Sequence, residues 1–364
     1  VRVVRTRSLS GLRILNALKG GSGSKRSSTG FGLLRGLSEL VLVPDTYIGW
    51  VPFAKRAAGK LCREEKFDIV YSTSPPDSSH LAARSIARTF GIPWIADFRD
   101  PWISLYYRRP PTPLHERWHR RLERSVTRAD RLLVTTEWHR KELLRLYPDV
   151  RVEKVPNGYE EEDFVGLADE EPDREPFTIL HTGMLTLGRI AEPFLQGLLH
   201  FLGERPEARK RIRVSFLGSR ESRNEECARG LGLDDLVSFE DNVPHSECVR
   251  RERKSHILLM LKHDDEHYGG AIPGKLYEYF GARRPILGVA RYGEAIEMIT
   301  AHGRGEVAAI DDPAGISRKI AKMYDLYLEG NLDCSYKLEE AAEYSRQRAA
   351  RRLDGILRSI LENR

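Results

Sequence analysis

The chain has 364 residues, with 59 Lys and Arg against 53 Asp and Glu, a net charge of +6, and 40% hydrophobic and 31% charged residues. A single hydrophobic core rarely grows past about 250–300 residues, so two α/β domains are expected. No apolar run approaches the ~20 residues that span a bilayer, and Cys62, Cys227, Cys248 and Cys334 lack the paired spacing of a zinc site or a disulfide framework, which fits a reducing cytoplasm. The basic balance favours phosphate-bearing or anionic partners, but no nucleic-acid-binding module accompanies it, and nucleic acid is not expected as a partner.

Residues 1–5 read as a strand with no strand or helix before it. Residues 10–38 have the Gly, Ser and basic composition of a flexible surface loop, and no buried strand leads into their glycines as a phosphate loop requires. A helical run at 52–65 precedes 67–72, an apolar strand of the buried parallel kind. The turn at 73–76 then falls at the carboxyl edge of the sheet, with Ser78 or Ser79 as cap of the following helix. Ligands collect at this edge in open α/β sheets, so Ser74 and His80 are candidate acceptor or phosphate contacts, His80 having a packed or capping role as its alternative. The strand in 92–102 ends in Asp97, Arg99 and Asp100, bracketed by Phe98 and Trp102 and stopped by Pro101. Partial desolvation there gives charges chemical leverage; the alternative is a structural Arg99 to Asp100 ion pair. Residues 114–129 make a basic helix bearing Trp118, suited either to an anionic membrane or to plain solvation. A strand at 131–136, a helix at 137–147 and a strand at 152–155 complete this half. A Pro156-Asn157-Gly158 turn and an acidic linker over 160–175 follow.

The second half restarts with a strand at 177–181, a turn at Gly183 and Arg189, a cation beside a glycine turn that suits phosphate. Strands at 213–218 and 237–240 lead to Asn242 and Val243. A buried strand at 256–261 delivers Lys262, His263, Asp264 and Asp265; one loop does not easily turn these and His267 inward together, so no metal is expected. Next comes Gly269-Gly270-Ala271-Ile272-Pro273-Gly274-Lys275, a glycine loop running into a helix at 274–282 that Gly281 and Pro285 stop. The helix start and Lys275 make an anion site, and Glu278 shares a face with Lys275, where its carboxylate suits a ribose diol. Diphosphate plus ribose points to a nucleotide. An Arg-rich helix at 344–361 closes the chain.

The stretch Ile272-Pro273-Gly274-Lys275-Leu276-Tyr277-Glu278-Tyr279, together with Asp97-Phe98-Arg99-Asp100-Pro101-Trp102, resembles the signatures of the GT-B nucleotide-sugar glycosyltransferases, in particular the large retaining family 4. That family often carries two glutamates separated by seven residues. The later matches Glu278, but Gly270 occupies the earlier position, and the histidine that many members carry near 97–102 is absent. The resemblance spans residues 40–360 and implies two Rossmann-like domains with parallel sheets facing across a cleft. The first, over 1–172, is expected to lack its first strand and helix; a nucleotide-sugar domain follows over 173–341, and a helix over 342–364 returns to the first domain. The implied activity is transfer of a sugar from a nucleoside-diphosphate sugar to a glycan, lipid-linked or small-molecule acceptor with retention, without cofactor or metal. The implied catalytic set is Lys275, Arg189, Asp100 and Arg99. The implied substrate contacts are Glu278, Gly270, Ala271, Ile272, Gly274, Gly183, Asn242, Val243, Ser74, His80 and Asp97. Localisation is expected to be cytoplasmic, with peripheral contact to an anionic membrane as an option. The rivals are a nucleotide-sugar epimerase on the same fold and a non-catalytic nucleotide-sugar or lipid-binding partner.

Overall fold

Strands apolar on both faces alternate with amphipathic helices in each half, and this pattern closes as a parallel sheet covered on both sides. A computed structural model describes residues 1–9, 42–102, 110–167, 170–185, 190–218, 221–262, 269–339 and 341–362. The chain divides into one unit of Val1–Val155 with Leu353–Arg364 and a second of Pro156–Arg352, against expected boundaries at 172 and 341.

In the first unit, α1 (Val51–Glu64), β1 (Val70–Ser74), α2 (Ser78–Phe90), β2 (Trp94–Phe98), α3 (Pro113–Val126), β3 (Arg131–Val134), α4 (Glu137–Leu146) and β4 (Val152–Lys154) build a parallel sheet in the order β1-β2-β3-β4. Trp94, Ala96, Phe98, Leu132 and Val134 point to one face with Trp102, Val126 and Leu143. Ile95 and Leu133 point to the other and meet Leu353, Ile356, Leu357 and Ile360 of α11 (Arg346–Glu362). Thr112 and Thr136 cap α3 and α4, but neither serine caps α2: Ser79 Oγ donates to Thr73 O at 2.6 Å, and the amide of Ser78 donates to Asp45 Oδ2 at 2.8 Å.

The expected strand at 1–5 does not form. Residues 1–9 join no strand; Val1, Val3 and Val4 are exposed, Arg2 pairs with Glu65, and Thr6 Oγ1 accepts from Trp50 Nε1 at 2.7 Å. Two arginines among five residues leave too little apolar surface to hold a strand in place. An apolar cleft of about 470 Å³, lined by Val4, Trp50, Ala54, Leu61, Ile69 and Ala82 among others, lies beside β1. The loop expected over 10–38 lies outside the described residues.

The second unit runs β5 (Phe177–Thr182), α5 (Glu192–Glu204), β6 (Ile212–Leu217), α6 (Ser222–Gly230), β7 (Val237–Glu240), α7 (His245–Arg253), β8 (Ile257–Leu261), α8 (Gly274–Ala282), β9 (Ile286–Val289), α9 (Glu294–Ala301), β10 (Gly305–Ala308) and α10 (Pro313–Leu328). Its parallel sheet has the order β10-β9-β8-β5-β6-β7. The strand sequence therefore reverses between β5 and β8, which creates a crevice at their carboxyl ends.

Two local readings change here. The tract at 160–175 is anchored rather than a loose linker: a 3-10 turn at Glu161–Phe164 packs on α8, and Arg250, Arg253 and the buried Arg284 pair with Glu170 and Glu171. Gly281 does not stop α8. It makes room for the Phe164 ring, 2.4 Å from where a Cβ would sit, and the helix ends at Arg283 with φ of 54°.

Replacing Ile356 by Ala should lower the unfolding free energy of the first unit by about 2–4 kcal/mol through the cavity it leaves under the sheet. Chemical denaturation of the two proteins measures this.

Candidate functional site

The crevice at the β5 and β8 ends gathers the glycine loop, the start of α8 and the turn after β5. Pro273 precedes α8 and no side chain caps that end, so its first-turn amides and positive dipole face outward. Gly183, with φ of 91°, ends β5, and a Cβ there would stand 3.2 Å from Lys275 Nζ. The lysine ammonium thus lies over the turn, which brings together Gly183 and Lys275, two residues expected separately at the site. Glu278 is half-buried one turn along α8, and burial raises its carboxyl pKa, with Lys275, His245 and Arg346 opposing the rise. Gly270 is buried, Ala271 and Gly274 are exposed and Ile272 is half-buried. Asn242, exposed, and Val243, packed on the cluster that contains Leu276 and Tyr277, follow β7. Arg189 and the segment holding His263, Asp264, Asp265 and His267 lie outside the described residues; among the described residues no His, Cys, Asp and Glu cluster suits a metal.

Behind this surface stands a polar network that the strand order alone assembles. His181 Nδ1 is 2.8 Å from Leu259 O, a carbonyl that only accepts, so the hydrogen sits on Nδ1 and Nε2 accepts from Lys275 Nζ at 2.9 Å. The lysine is aimed by a neutral imidazole. The Thr182 amide donates to Tyr279 Oη at 3.0 Å, and Tyr279 Oη donates to Leu259 O at 3.2 Å. Lys262, buried at the end of β8, donates to Gly269 O at 2.8 Å and so ties down the glycine loop, and burial lowers its pKa to about 8. His181, Thr182, Tyr279 and Lys262 were not singled out for the site from sequence. Both His181 and Lys262 end apolar strands, but only the pairing of β5 with β8 brings His181 to the Leu259 carbonyl.

In the first unit, Asp97 is half-buried and accepts from Tyr71 Oη at 2.8 Å and Thr73 Oγ1 at 3.0 Å, and burial raises its pKa. Arg99 donates to the carbonyls of Ser74 and Pro75, each at 3.2 Å, tying the end of β2 to that of β1, and Asp100 follows half-buried. Ser74 is buried. His80 is fully buried with Nδ1 2.8 Å from Ser72 Oγ and its ring 4.8 Å from that of Phe98, and burial drives its pKa down to about 3. A neutral imidazole without exposed surface is a packing residue, the alternative role open to it, and does not reach a substrate. Along α3, Leu114 and Trp118 are 56% and 48% exposed, on one arc with the exposed Arg117, Arg121 and Arg124, while Arg120 pairs with Glu116.

Comparison with known proteins bears on the fold. Residues 28–158 match the family model described as a glycosyl transferase 4-like domain. No curated protein matches the chain. Among solved structures, a glycosyltransferase from Rickettsia africae has a TM-score of 0.66 at 14% identity, covering 97% of this chain and 88% of its own. The sucrose-phosphate synthase of Thermosynechococcus elongatus has a TM-score of 0.64 at 12% identity, covering 89% and 81%. HepE of Anabaena, solved in complex with UDP, has a TM-score of 0.64 at 11% identity, covering 90% and 89%.

Substituting Gly183 by Ala should cost about 1–2 kcal/mol in backbone strain at positive φ and push Lys275 aside. Unfolding measurements report the first effect and nucleotide titration the second.

Proposed function

We propose, from a GT-B fold and a resemblance to the family 4 glycosyltransferases, that the chain transfers a sugar from a nucleoside-diphosphate sugar to an acceptor with retention of configuration. The observation that carries this reading is Lys275 at an uncapped helix start over Gly183, with Glu278 one turn along the same face. The first-turn amides and Lys275 receive the diphosphate, and Glu278 accepts hydrogen bonds from the ribose diol. As the bond between the sugar C1 and the phosphate oxygen breaks, its electron pair passes to the diphosphate, whose growing charge Lys275 and the helix amides stabilise. The acceptor hydroxyl attacks C1 from the departing side and its proton passes to a donor phosphate oxygen, so no protein nucleophile is assigned. Arg189 is assigned to the same phosphates; Asp97, Arg99 and Asp100 are assigned to the acceptor. A lysine and a helix dipole in this place do the charge work without a metal ion, and activity should persist in EDTA. The UDP held by HepE supports a nucleoside diphosphate as the donor's leaving group. Product that forms only when an acceptor is present separates this reading from an epimerase, and turnover separates it from a binding protein.

A second observation supports peripheral membrane contact. The α3 arc presents Leu114 and Trp118 flanked by arginines, an aromatic and aliphatic wedge with cations placed for anionic head groups. No helix among the described residues is long and apolar enough to cross a membrane. Each basic contact contributes about 1 kcal/mol at low salt. Co-sedimentation with phosphatidylserine vesicles should exceed that with neutral vesicles and fade as salt rises; equal binding to both would end the idea.

Steady-state kinetics with both substrates varied tests the donor site. Glu278→Gln should weaken donor binding by about 1.5–3 kcal/mol and raise donor KM more than it lowers kcat. Lys275→Ala should lower kcat by about two to three powers of ten, the scale of deleting one electrostatic stabiliser. Near-normal donor parameters in both variants would place the nucleotide elsewhere.

A further inference from the structure

One carboxyl group behind the site has no part in the reading above. Glu252, next to last in α7, has no exposed surface. Its Oε1 lies 2.7 Å from Thr182 Oγ1 and 3.8 Å from Cys248 Sγ, while Oε2 is buried with no hydrogen-bond partner among the described residues. Neither lysine nor arginine forms an ion pair with it among the described residues. The groups that face it come from three directions. Cys248 lies one turn back on its own helix; Lys275, Glu278 and Tyr279 face it from α8; Thr182 faces it from β5, where His181 engages Lys275. Asp163, on the 3-10 turn packed against α7, pairs with His245 at 2.9 Å instead.

A carboxylate needs several hydrogen bonds or a paired cation to stay ionised out of water, and Glu252 has neither. Burial therefore raises its pKa to about 8; Glu278 adds to the rise, while Thr182 and Lys275 oppose it. The protonated acid is favoured because Thr182 Oγ1 donates to Oε1 and a neutral hydroxyl at Oε2, which has no partner among the described residues, costs less in this surrounding than an unpaired charge.

We propose that Glu252 is a proton-holding positioning residue that makes donor binding depend on pH. Protonated, it steadies Thr182 and so the Gly183 turn beneath Lys275. Ionised, it sets a second carboxylate beside Glu278 and competes with the donor phosphates for Lys275. The proton exchanges with bulk solvent, and no bond between heavy atoms forms or breaks. This inference rests on the reading of Lys275 and Glu278 as diphosphate and ribose contacts.

Calorimetric titration of UDP, GDP and ADP in turn, from pH 6.5 to 9, on the parent and on Glu252→Gln tests it. Gln matches the protonated acid in shape and does not ionise. One unit above its pKa about one Glu252 in eleven keeps the proton, so the parent Kd should rise about tenfold between pH 7 and pH 9. The variant should match the parent within about twofold at pH 7 and lack that rise. Lys262 and the other groups titrating in this range are common to both proteins, so the difference belongs to Glu252. Parallel profiles, or lost affinity of the variant at pH 7, overturn the inference and leave the nucleotide site standing. No binding of any nucleotide by the parent overturns the site reading and the inference with it.

A second measurement needs no ligand. The folded pKa lies above the unfolded value of about 4.3, so the parent loses stability relative to the variant as pH rises from there through about 8. The Tm advantage of Glu252→Gln should widen from pH 5 to pH 8, and a constant difference counts against the proposal. Should that variant fail to fold, Thr182→Val takes its place. It removes the hydrogen bond that favours the ionised form, and the alkaline rise in Kd should move to higher pH; an unmoved rise overturns the proposal.

Discussion

The candidate site of the second unit depends on one topological fact, the adjacency of β5 and β8, which are separated in sequence by two other strands and three helices. That adjacency places Leu259 O where both His181 Nδ1 and Tyr279 Oη reach it, so a single carbonyl orders the imidazole that aims Lys275 and the phenol that holds Thr182. Moving β8 by one register position would send Leu259 to the other face and dissolve both contacts at once. The chemistry at the start of α8 thus inherits its precision from a sheet core of Ile257, Leu258, Leu259 and Met260, residues that themselves carry no chemistry.

Much of this was legible in the sequence. The βα rhythm, the apolar strands and the glycine loop running into a helix each leave a local pattern, and α8 begins and ends where that pattern places it. Gly183 and Lys275 were each legible as phosphate-binding residue types, the one at a strand end and the other at a helix start, but their meeting was not, since the sequence set Arg189 beside Gly183. What stayed hidden is non-local. Glu252 sits in a run of Arg250, Arg251, Arg253 and Lys254 that reads as a solvated basic helix, yet its side chain has no exposed surface, and Arg253 beside it turns in to the carbonyls of Leu167 and Ala282. His80 shows the reverse: its position at a ligand-collecting edge suggested chemistry, and packing against Trp94 and Phe98 removed it. Residues 1–5 misled for a third reason, since alternation of Val and Arg describes a strand only where a neighbour stands to pair with it.

The two halves of the reading rest on different supports. For the second unit the argument is geometric, from the helix start, the cation and the carboxylate one turn along. For the first it leans on the family likeness of 28–158 and on Asp97, which Tyr71 and Thr73 hold in place. At Gly270, where the family it resembles often has a glutamate, this chain has instead a buried backbone position next to Gly269, whose carbonyl Lys262 holds. Under the proposed function, sugar recognition would rest on groups other than a carboxylate at position 270.

The anchoring of the acidic tract by arginines reaches beyond folding. Glu170 is held by Arg250 and Lys254, and Glu171 by Arg253 and Arg284, so the first stretch of the second unit is clamped to its body at several points. A protease that cuts after glutamate must draw an extended stretch of backbone into its cleft, and here it can do so only when these pairs open together. Cleavage after Glu170 or Glu171 therefore depends on how often these pairs open as well as on exposure of the peptide bond. Salt, which screens the more exposed of these pairs, should hasten cutting at these two positions.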